Sequence, residues 1–474
     1  MRDVRGYEEQ DSQVLAALDS GYPRFVLHAF VRELIAYYCK REGLFSRDCM
    51  LIAGRRAADD ALAYLDWGFA KLEVDQGVYL VHCDGSKEEH VRSLRKFVQH
   101  TGCGISSRQA EDLLLQHSLR SESFQEAGFA GNAETKAEAD LAGLIGCRTS
   151  DVLICSSGMN AFYAGFRAVQ EFNRSRGRRA WLQLGWLYLD SGRVLDQFLD
   201  EGETLECLYD VSALDYILAR IRALGDSLAA VVVECPSNPL LRVCDLKEIS
   251  SEVRRQGGVM IIDPTVASVY NVDVLPYADL LVTSLTKYAS IEGDIMIGAL
   301  AVNPKSRFYG DLILRTSAYH VPPYRRDVAR LCVEMDQARE IVPRLNQNAA
   351  ELFRYLKNHA GVSRAFSPAC PSEIETISKE GRSAGSVITI ELSGDLEKFY
   401  DCVRLMKGPS FGTRFTLLCP FMYLAHYDLV TSQSGREFLH RIGICPELIR
   451  ISVGEEPYEQ IEAIFEEALQ ASIT

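Results

Sequence analysis

Between about residue 132 and 305, short apolar runs take turns with amphipathic stretches. The runs lie at 152–155, 181–184, 229–234, 259–263 and 279–283, and helical stretches at 159–173, 212–224 and 246–256 separate them. Continuous apolar strands alternating with helices predict βαβ units and an α/β fold with a mostly parallel central sheet flanked by helices. The pattern then changes. A helical stretch over 324–359 is followed by a strand at Ser386–Leu392, a helix over 394–405, a strand at Leu448–Val453 and a last helix over 457–470. These elements predict a smaller α+β C-terminal domain. Roughly the first hundred residues read as helix-rich. After Tyr22-Pro23, residues Phe25, Leu27, Phe30, Leu34, Ile35 and Tyr38 fall near helical spacing, and Val78–Val81 reads as a short strand. The expected organisation is a helix-rich N-terminal extension (1–94), an α/β domain with its N-terminal arm (95–305) and an α+β domain (306–474).

Composition narrows the classes. The 474 residues are 47% hydrophobic and 24% charged, as expected of a soluble globular chain with room for two or three domains. A formal net charge of -14 argues against non-specific nucleic-acid binding, which needs a basic face. The first ten residues are too acidic and too poor in apolar side chains for a signal peptide, and no apolar run approaches a membrane span. Fourteen cysteines without a C-x-x-C pair fit neither a disulfide scaffold nor a zinc ribbon. Cys155, Cys207, Cys235 and Cys332 lie in apolar strings, so buried thiols and a cytoplasmic location are expected. The nine histidines form no ligand pairs, so no metal is expected; His100 and His426 read as structural.

The candidate chemistry centres on Lys287, in the string Ser284-Leu-Thr-Lys-Tyr288 directly after an apolar run. A lysine beside a strand ordinarily extends its ammonium to water. Here two hydroxyls, Ser284 and Thr286, precede it, and about twenty residues upstream the run 258–262 ends in Asp263. These are the groups a pyridoxal phosphate (PLP) site requires. A lysine amine forms a Schiff base, a carboxylate keeps the ring nitrogen protonated, and hydroxyls donate to the phosphate. Cys155-Ser156-Ser157-Gly158-Met159-Asn160 joins a strand to a helix whose first N–H groups suit an anion, although alone it would pass as an ordinary cap. Tyr188 follows a strand-like run and can lay its ring on the pyridine; a lone tyrosine there would more often be core. Glu234-Cys-Pro-Ser-Asn-Pro239 forces an extended loop, from which Asn238 can reach the phenolic oxygen of the cofactor.

Together, from about residue 95 to the C-terminus, these strings and Ile449-Arg-Ile-Ser-Val-Gly-Glu-Glu456 resemble the Cys/Met-metabolism PLP enzymes. That family includes cystathionine gamma-synthase, the cystathionine and methionine lyases and the homoserine sulfhydrylases. The string His100–Arg108 and the long N-terminal segment are most similar to an extended, fungal-like branch of cystathionine gamma-synthase. The resemblance implies the PLP-transferase fold of type I and roles for individual residues. Lys287 would carry the cofactor, Asp263 would hold the ring nitrogen, Tyr188 would stack on the ring, and Asn238 would bond the phenolic oxygen. Ser157, Gly158, Met159, Ser284 and Thr286 would hold the phosphate, and Arg450 would grip the substrate carboxylate with its fork. Two departures stand out. A Tyr-x-Arg pair that reaches a neighbouring subunit's phosphate becomes Ser106-Ser107-Arg108, keeping only Arg108. A Ser-Leu-Gly-Gly-x-Glu-Ser-Leu stretch becomes Ser410-Phe-Gly-Thr-Arg-Phe-Thr-Leu417, which places Phe415 and Thr416 near the substrate side chain and Arg414 as a further cation or a solvated group.

The expected reaction is γ-replacement on an O-activated homoserine by a thiol, with Lys287 moving the Cα proton. A C–S lyase, a sulfhydrylase or a carbon–carbon γ-replacement enzyme is the alternative within PLP chemistry. An inactive paralogue serving as a binding or regulatory protein is the alternative outside it. A nicotinamide site is poorly supported, because no G-x-G-x-x-G follows a strand. A small amino acid is the expected partner, in a homodimer or homotetramer.

Overall fold

A computed structural model describes residues 1–17, 25–65, 68–83, 87–368, 374–379 and 385–474. Tyr22 and Pro23, expected to precede the first long helix, lie outside these residues. The helix itself is Ala29–Glu42, begun where His28 Nδ1 accepts the Phe30 N–H at 3.2 Å and ended by Gly43 at φ +70°.

Three sheets follow one another along the chain. The first holds β1 (Cys49–Ala53), β2 (Phe69–Asp75) and β3 (Val78–Cys83), antiparallel in the order β1-β3-β2. Helices Ala29–Glu42 and Ser107–Gln116 cover it, burying Leu34, Ile35 and Leu114 against Leu51 and Leu80. Of these strands only β3 is legible as an apolar run. The run Cys49–Ala53 reads equally as a piece of buried helix, and β2 mixes lysine, glutamate and aspartate into a half-wet face.

The central sheet has seven strands: β4 (Val152–Cys155), β5 (Ala180–Leu184), β6 (Thr204–Leu208), β7 (Leu228–Glu234), β8 (Val259–Asp263), β9 (Leu280–Ser284) and β10 (Gly298–Val302). Their order is β4-β10-β9-β8-β7-β5-β6. β10 runs antiparallel to β4 and β9, and β9-β8-β7-β5-β6 are mutually parallel. β6 and β10 exceed the five runs expected. β6 is a partly wet edge strand, whereas β10 (Gly-Ala-Leu-Ala-Val) opens on a glycine and holds two alanines, residues with weak strand preference. Glycine is required at 298: a Cβ there would come within 2.5 Å of the Gly158 backbone. The helix Gly158–Arg174 lies on β9 and β10, and its Phe166 ring meets the fully buried Trp181 of β5 at 4.9 Å. Truncating either ring to alanine would cost roughly 3–5 kcal/mol. Cys155, Cys235 and Cys332 are buried as expected, whereas Cys207 on edge strand β6 is only partly so.

The 34-residue helix Arg325–Asn358 joins two cores. Its first half packs Val328, Leu331 and Met335 against the central sheet. Its last turns pack Ala349, Leu352 and Leu356 against the third sheet. That sheet comprises β11 (Val362–Phe366), β12 (Val387–Leu392), β13 (Met406–Lys407), β14 (Leu417–Pro420) and β15 (Ile449–Ser452), ordered β11-β12-β15-β14-β13. Among the described residues no helix is long and apolar enough to cross a membrane.

Candidate active site

Parallel strands end on a common side, and a crevice at their C-terminal ends is the usual ligand site of such sheets. Here β4, β7, β8 and β9 lead into Gly158, Glu234, Asp263 and Ser284, which all line one cavity of about 440 Å³. That volume suits a cofactor with a small substrate rather than a macromolecule.

Lys287 enters this cavity from the turn after β9, and its Nζ donates to Ser410 Oγ at 2.7 Å and lies 5.3 Å from the Phe411 ring centroid. The next residue, Tyr288, is held at φ +58°, a left-handed conformation costing a non-glycine residue roughly 1–3 kcal/mol. Its neighbours fix it. Tyr288 N–H donates to Gly412 O at 3.1 Å, its hydroxyl donates to Val266 O at 3.0 Å, and the same hydroxyl accepts the Ser386 N–H at 2.9 Å. Gly412, itself at φ +75°, has no alternative residue: a Cβ there would meet Tyr288 N at 2.6 Å.

Asp263 accepts the Thr265 N–H at 2.8 Å, while burial pushes its pKa up. Glu234 stands beside it in register on β7. Burial, and then the neighbouring Asp263, push Glu234 well above the usual carboxylate range, and a cation placed beside Asp263 would favour its ionised form. Glu234 also accepts the Tyr188 N–H, which fixes the start of helix Leu189–Gln197 and places Tyr188 on the cavity wall. Asp263 therefore suits a protonated ring nitrogen.

The anion end is formed by the start of helix Gly158–Arg174 with Gly158, Met159 and Ser284 on the lining. A Cβ on Gly158 would come 2.7 Å from Ser284 Cβ, so glycine keeps these first N–H groups open to close approach. Two expected phosphate contacts are placed elsewhere. Ser157 Oγ accepts the Asn160 N–H at 3.0 Å and donates to Gly102 O at 3.1 Å, and Thr286 Oγ1 accepts the Ile297 N–H at 3.1 Å. Both shape the cavity wall without lining it. Arg108, expected to reach a partner subunit's phosphate, turns into its own chain: it pairs with Glu126 at 2.6 Å and with Asp294 and Asp327 at 3.2 Å.

At the opposite end Arg450 of β15 is 4% exposed. Its NH1 donates to Asn238 Oδ1 at 3.3 Å, its NH2 donates to Pro409 O, and its guanidinium lies between the Phe411 and Phe421 rings at 5.1 and 4.7 Å. A fork held between two rings is ready for a carboxylate. Thr416 is not on the lining, contrary to the substrate contact expected of it. Its hydroxyl donates to Glu456 at 2.8 Å and accepts the Gly454 N–H at 2.9 Å, so it ties the β15 loop. Arg414 likewise pairs with Glu292 at 2.9 Å and with Glu455 at 2.6 Å.

The sequence reading assigned no role to several groups on this wall. Glu234 could have been noticed as a charged end to a wholly apolar strand, and Ser410 as the first residue of the 410–417 string; Gln99, Phe421 and the N-terminal Tyr7 and Glu8 carry no local signal. His100 and His426 take structural places. His100 Nδ1 lies 3.1 Å from Asp190 Oδ1, which Gln99 also reaches at 2.9 Å. Trp186 Nε1–H donates to His426 Nε2 at 2.9 Å, which requires a neutral ring, and burial lowers the His426 pKa to about 4 from 6.5. Between those values the unfolded chain binds more protons than the folded one, so stability falls as pH drops through this window. The expected loss is at most about 3 kcal/mol. Urea unfolding at about pH 7 and about pH 5 checks it: His426→Gln, which keeps an acceptor for Trp186, should flatten the difference, and an unchanged pH dependence would refute the assignment.

An amine, a buried carboxyl, a side-chain-free helix start and an aromatic wall fit PLP. Residues 86–470 match the family model described as Cys/Met metabolism PLP-dependent enzyme. The chain is 32% identical over 478 residues to the L-2-amino-4-chloropent-4-enoate dechlorinase/desaturase of Streptantibioticus cattleyicolor, covering 100% of this chain and 95% of that protein. It is 29% identical over 362 residues to the cystathionine gamma-synthase of Neurospora crassa, covering 75% of this chain but only 57% of that protein. In fold it is similar to the cystathionine gamma synthase of Xanthomonas oryzae pv. oryzae, with a TM-score of 0.61 and 22% identity over 74% of this chain and 92% of that one. The chain therefore belongs to the Cys/Met-metabolism PLP-dependent enzymes, and pyridoxal phosphate is its cofactor.

Proposed function

We propose that the chain removes a leaving group from Cγ of a small α-amino acid and completes the reaction by elimination. The observation that carries this reading is one cavity lined by Lys287, Asp263, Asn238 and Arg450 together. Arg450 and Asn238 bind the substrate carboxylate and so turn the Cα–H bond toward Lys287. Lys287 Nζ takes the Cα proton, hands it on, and then takes a Cβ proton, whose electron pair forms the Cβ–Cγ double bond as the Cγ–leaving-group bond breaks; Ser410 Oγ, 2.7 Å away, holds the amine in place. Bound PLP supplies an electron sink for the pair left on Cα, and Asp263 keeps that sink charged. Tyr188 covers one face of the site and excludes water.

Two observations favour elimination over capture of cysteine. Lys287 and Arg450 are the cations on the described lining, and both have roles already, so the carboxylate of an incoming cysteine would find no counter-charge. In addition, the residues Tyr7, Glu8, Gln10 and Phe25 take up part of the cavity wall and bring no further cation to it. The dechlorinase/desaturase relative, whose printed name describes loss of chloride from an amino acid, matches over the whole chain, including this segment. The γ-replacement reading, with an O-activated homoserine and a thiol, rests on the likeness to cystathionine gamma-synthases.

The test is product analysis with O-acetyl-L-homoserine and with L-2-amino-4-chloropent-4-enoate, each with and without cysteine. Elimination predicts products whose rate of formation is unaffected by cysteine. A thioether product formed faster than any elimination product would restore γ-replacement. No turnover of any Cγ-activated amino acid would remove both.

A further inference from the structure

Part of the cavity wall is made by the N-terminal segment. The helix Arg2–Glu8 docks on the C-terminal body of its own chain. Arg5 pairs with Glu397 and lies 6.0 Å from the Tyr423 ring centroid, Val4 packs against the third-sheet core, and the Tyr427 hydroxyl donates to Glu9 at 2.5 Å. Beyond it Asp11 accepts the Gln13 N–H at 2.8 Å and starts the next helix, Ser12–Ala16. Docked in this way, the helix turns Tyr7 and Glu8 into the same cavity that holds Lys287 and Arg450.

Charge is distributed unevenly in that cavity. The end beside Arg450 and Asn238 is cationic and suits the α-carboxylate. The lining residues Tyr7, Gln10, Phe25, Leu424 and Ala425, contributed by the N-terminal segment and the helix it docks on, carry no positive charge. No ion pair or hydrogen bond from the described residues reaches the Glu8 carboxyl, and burial is what raises its pKa, to about 7. A partly buried carboxylate without a counter-ion acts strongly on whatever charge is placed beside it, because screening by water is reduced.

We infer that Glu8 is a specificity-determining residue: it faces the Cγ substituent of the bound amino acid and selects substituents without negative charge. A halide, an acetyl ester or a thioether can lie against Tyr7, Phe25 and Leu424. A succinyl ester or a phosphate would bring a second anion to Glu8, with no cation but Lys287 and Arg450 on the described lining, a like-charge contact of the kind that excludes wrong partners. This deepens the proposed function and rests on it, since it presumes that the side chain of the substrate points away from Arg450.

Two measurements, made at about pH 8.5 so that a carboxyl with a raised pKa is ionised, separate failure of this inference from failure of that reading. The first compares kcat/KM for O-acetyl-L-homoserine and O-succinyl-L-homoserine. The wild type should prefer the acetyl ester, Glu8→Gln should narrow the ratio by about 10-fold, mostly through KM for the succinyl ester, and Glu8→Lys should invert it. Glu8→Asp, which keeps the charge, should keep the preference; a purely structural role for Glu8 would instead make Asp and Gln alike. The second needs no turnover. Calorimetric titration of the holoenzyme with L-norleucine and with L-2-aminoadipate should show the anionic analogue binding more weakly, and Glu8→Gln should bring the two together. An unchanged norleucine-to-aminoadipate ratio in Glu8→Gln overturns the inference even if neither ester is a substrate.

Discussion

Lys287→Ala is expected to lower turnover by at least about 10³-fold, the largest single effect on activity. The reason is convergence. Lys287 is the amine that would hold the cofactor, and it is also the base placed to take the Cα proton, with Ser410 aligning it at 2.7 Å. Proton transfer by a positioned side chain alone contributes about 10²–10⁴-fold. Loss of covalent attachment of the cofactor adds to that. Absorbance spectra before and after borohydride show whether the cofactor is attached, and exchange of the Cα proton in heavy water reports the transfer itself. Wild type should bleach with borohydride and exchange the proton; the variant should do neither. A Lys287→Ala protein retaining exchange within tenfold of wild type would place the base elsewhere in the cavity, and a wild type colourless even with added PLP would leave the site without its chemistry.

Arg450→Lys should reduce kcat/KM by about 10²–10³-fold, although charge is conserved. A lysine ammonium cannot reproduce a fork that donates at once to Asn238 and Pro409 while lying between Phe411 and Phe421. It would leave Asn238 Oδ1 without its donor and offer the substrate one point contact in place of a bidentate one. Because the carboxylate contact is made in the ground state and in the transition state alike, most of the loss should appear in KM. A loss confined to kcat would mean that Arg450 orients Lys287 or the loop at 409–412 instead of binding substrate.

The central sheet was legible because its strands are buried on both faces and read as unbroken apolar runs. β10 escaped because it opens on Gly298, which packing against the Gly158 backbone requires, and two more of its five residues are alanines, so its strand signal is weak. The same distinction holds in the site. Lys287, Asp263, Asn238 and Arg450 stand at ends or centres of recognisable strings, and the structure brings them into one cavity. Ser157, Thr286 and Thr416 stand in equally recognisable strings, yet each hydroxyl is taken by a nearby backbone or carboxylate group, an allocation that only three-dimensional geometry decides. Glu8 was illegible for a different reason. It is some 280 positions from Lys287 in the chain, and nothing local to residues 2–8 reveals which surface they will cover.

The backbone twist at Tyr288 has a mechanical meaning. Through its N–H and hydroxyl, this one residue is fastened to Gly412, Val266 and Ser386, so it links the turn after β9 to the start of β12 and to the loop leading into β14. β12 in turn pairs directly with β15, which carries Arg450. The proton carrier and the carboxylate grip are thus mounted on a single truss. A tilt of the C-terminal sheet against the central one would have to break the bonds from Tyr288 to Gly412 and Ser386, so the spacing between Lys287 and Arg450 is held.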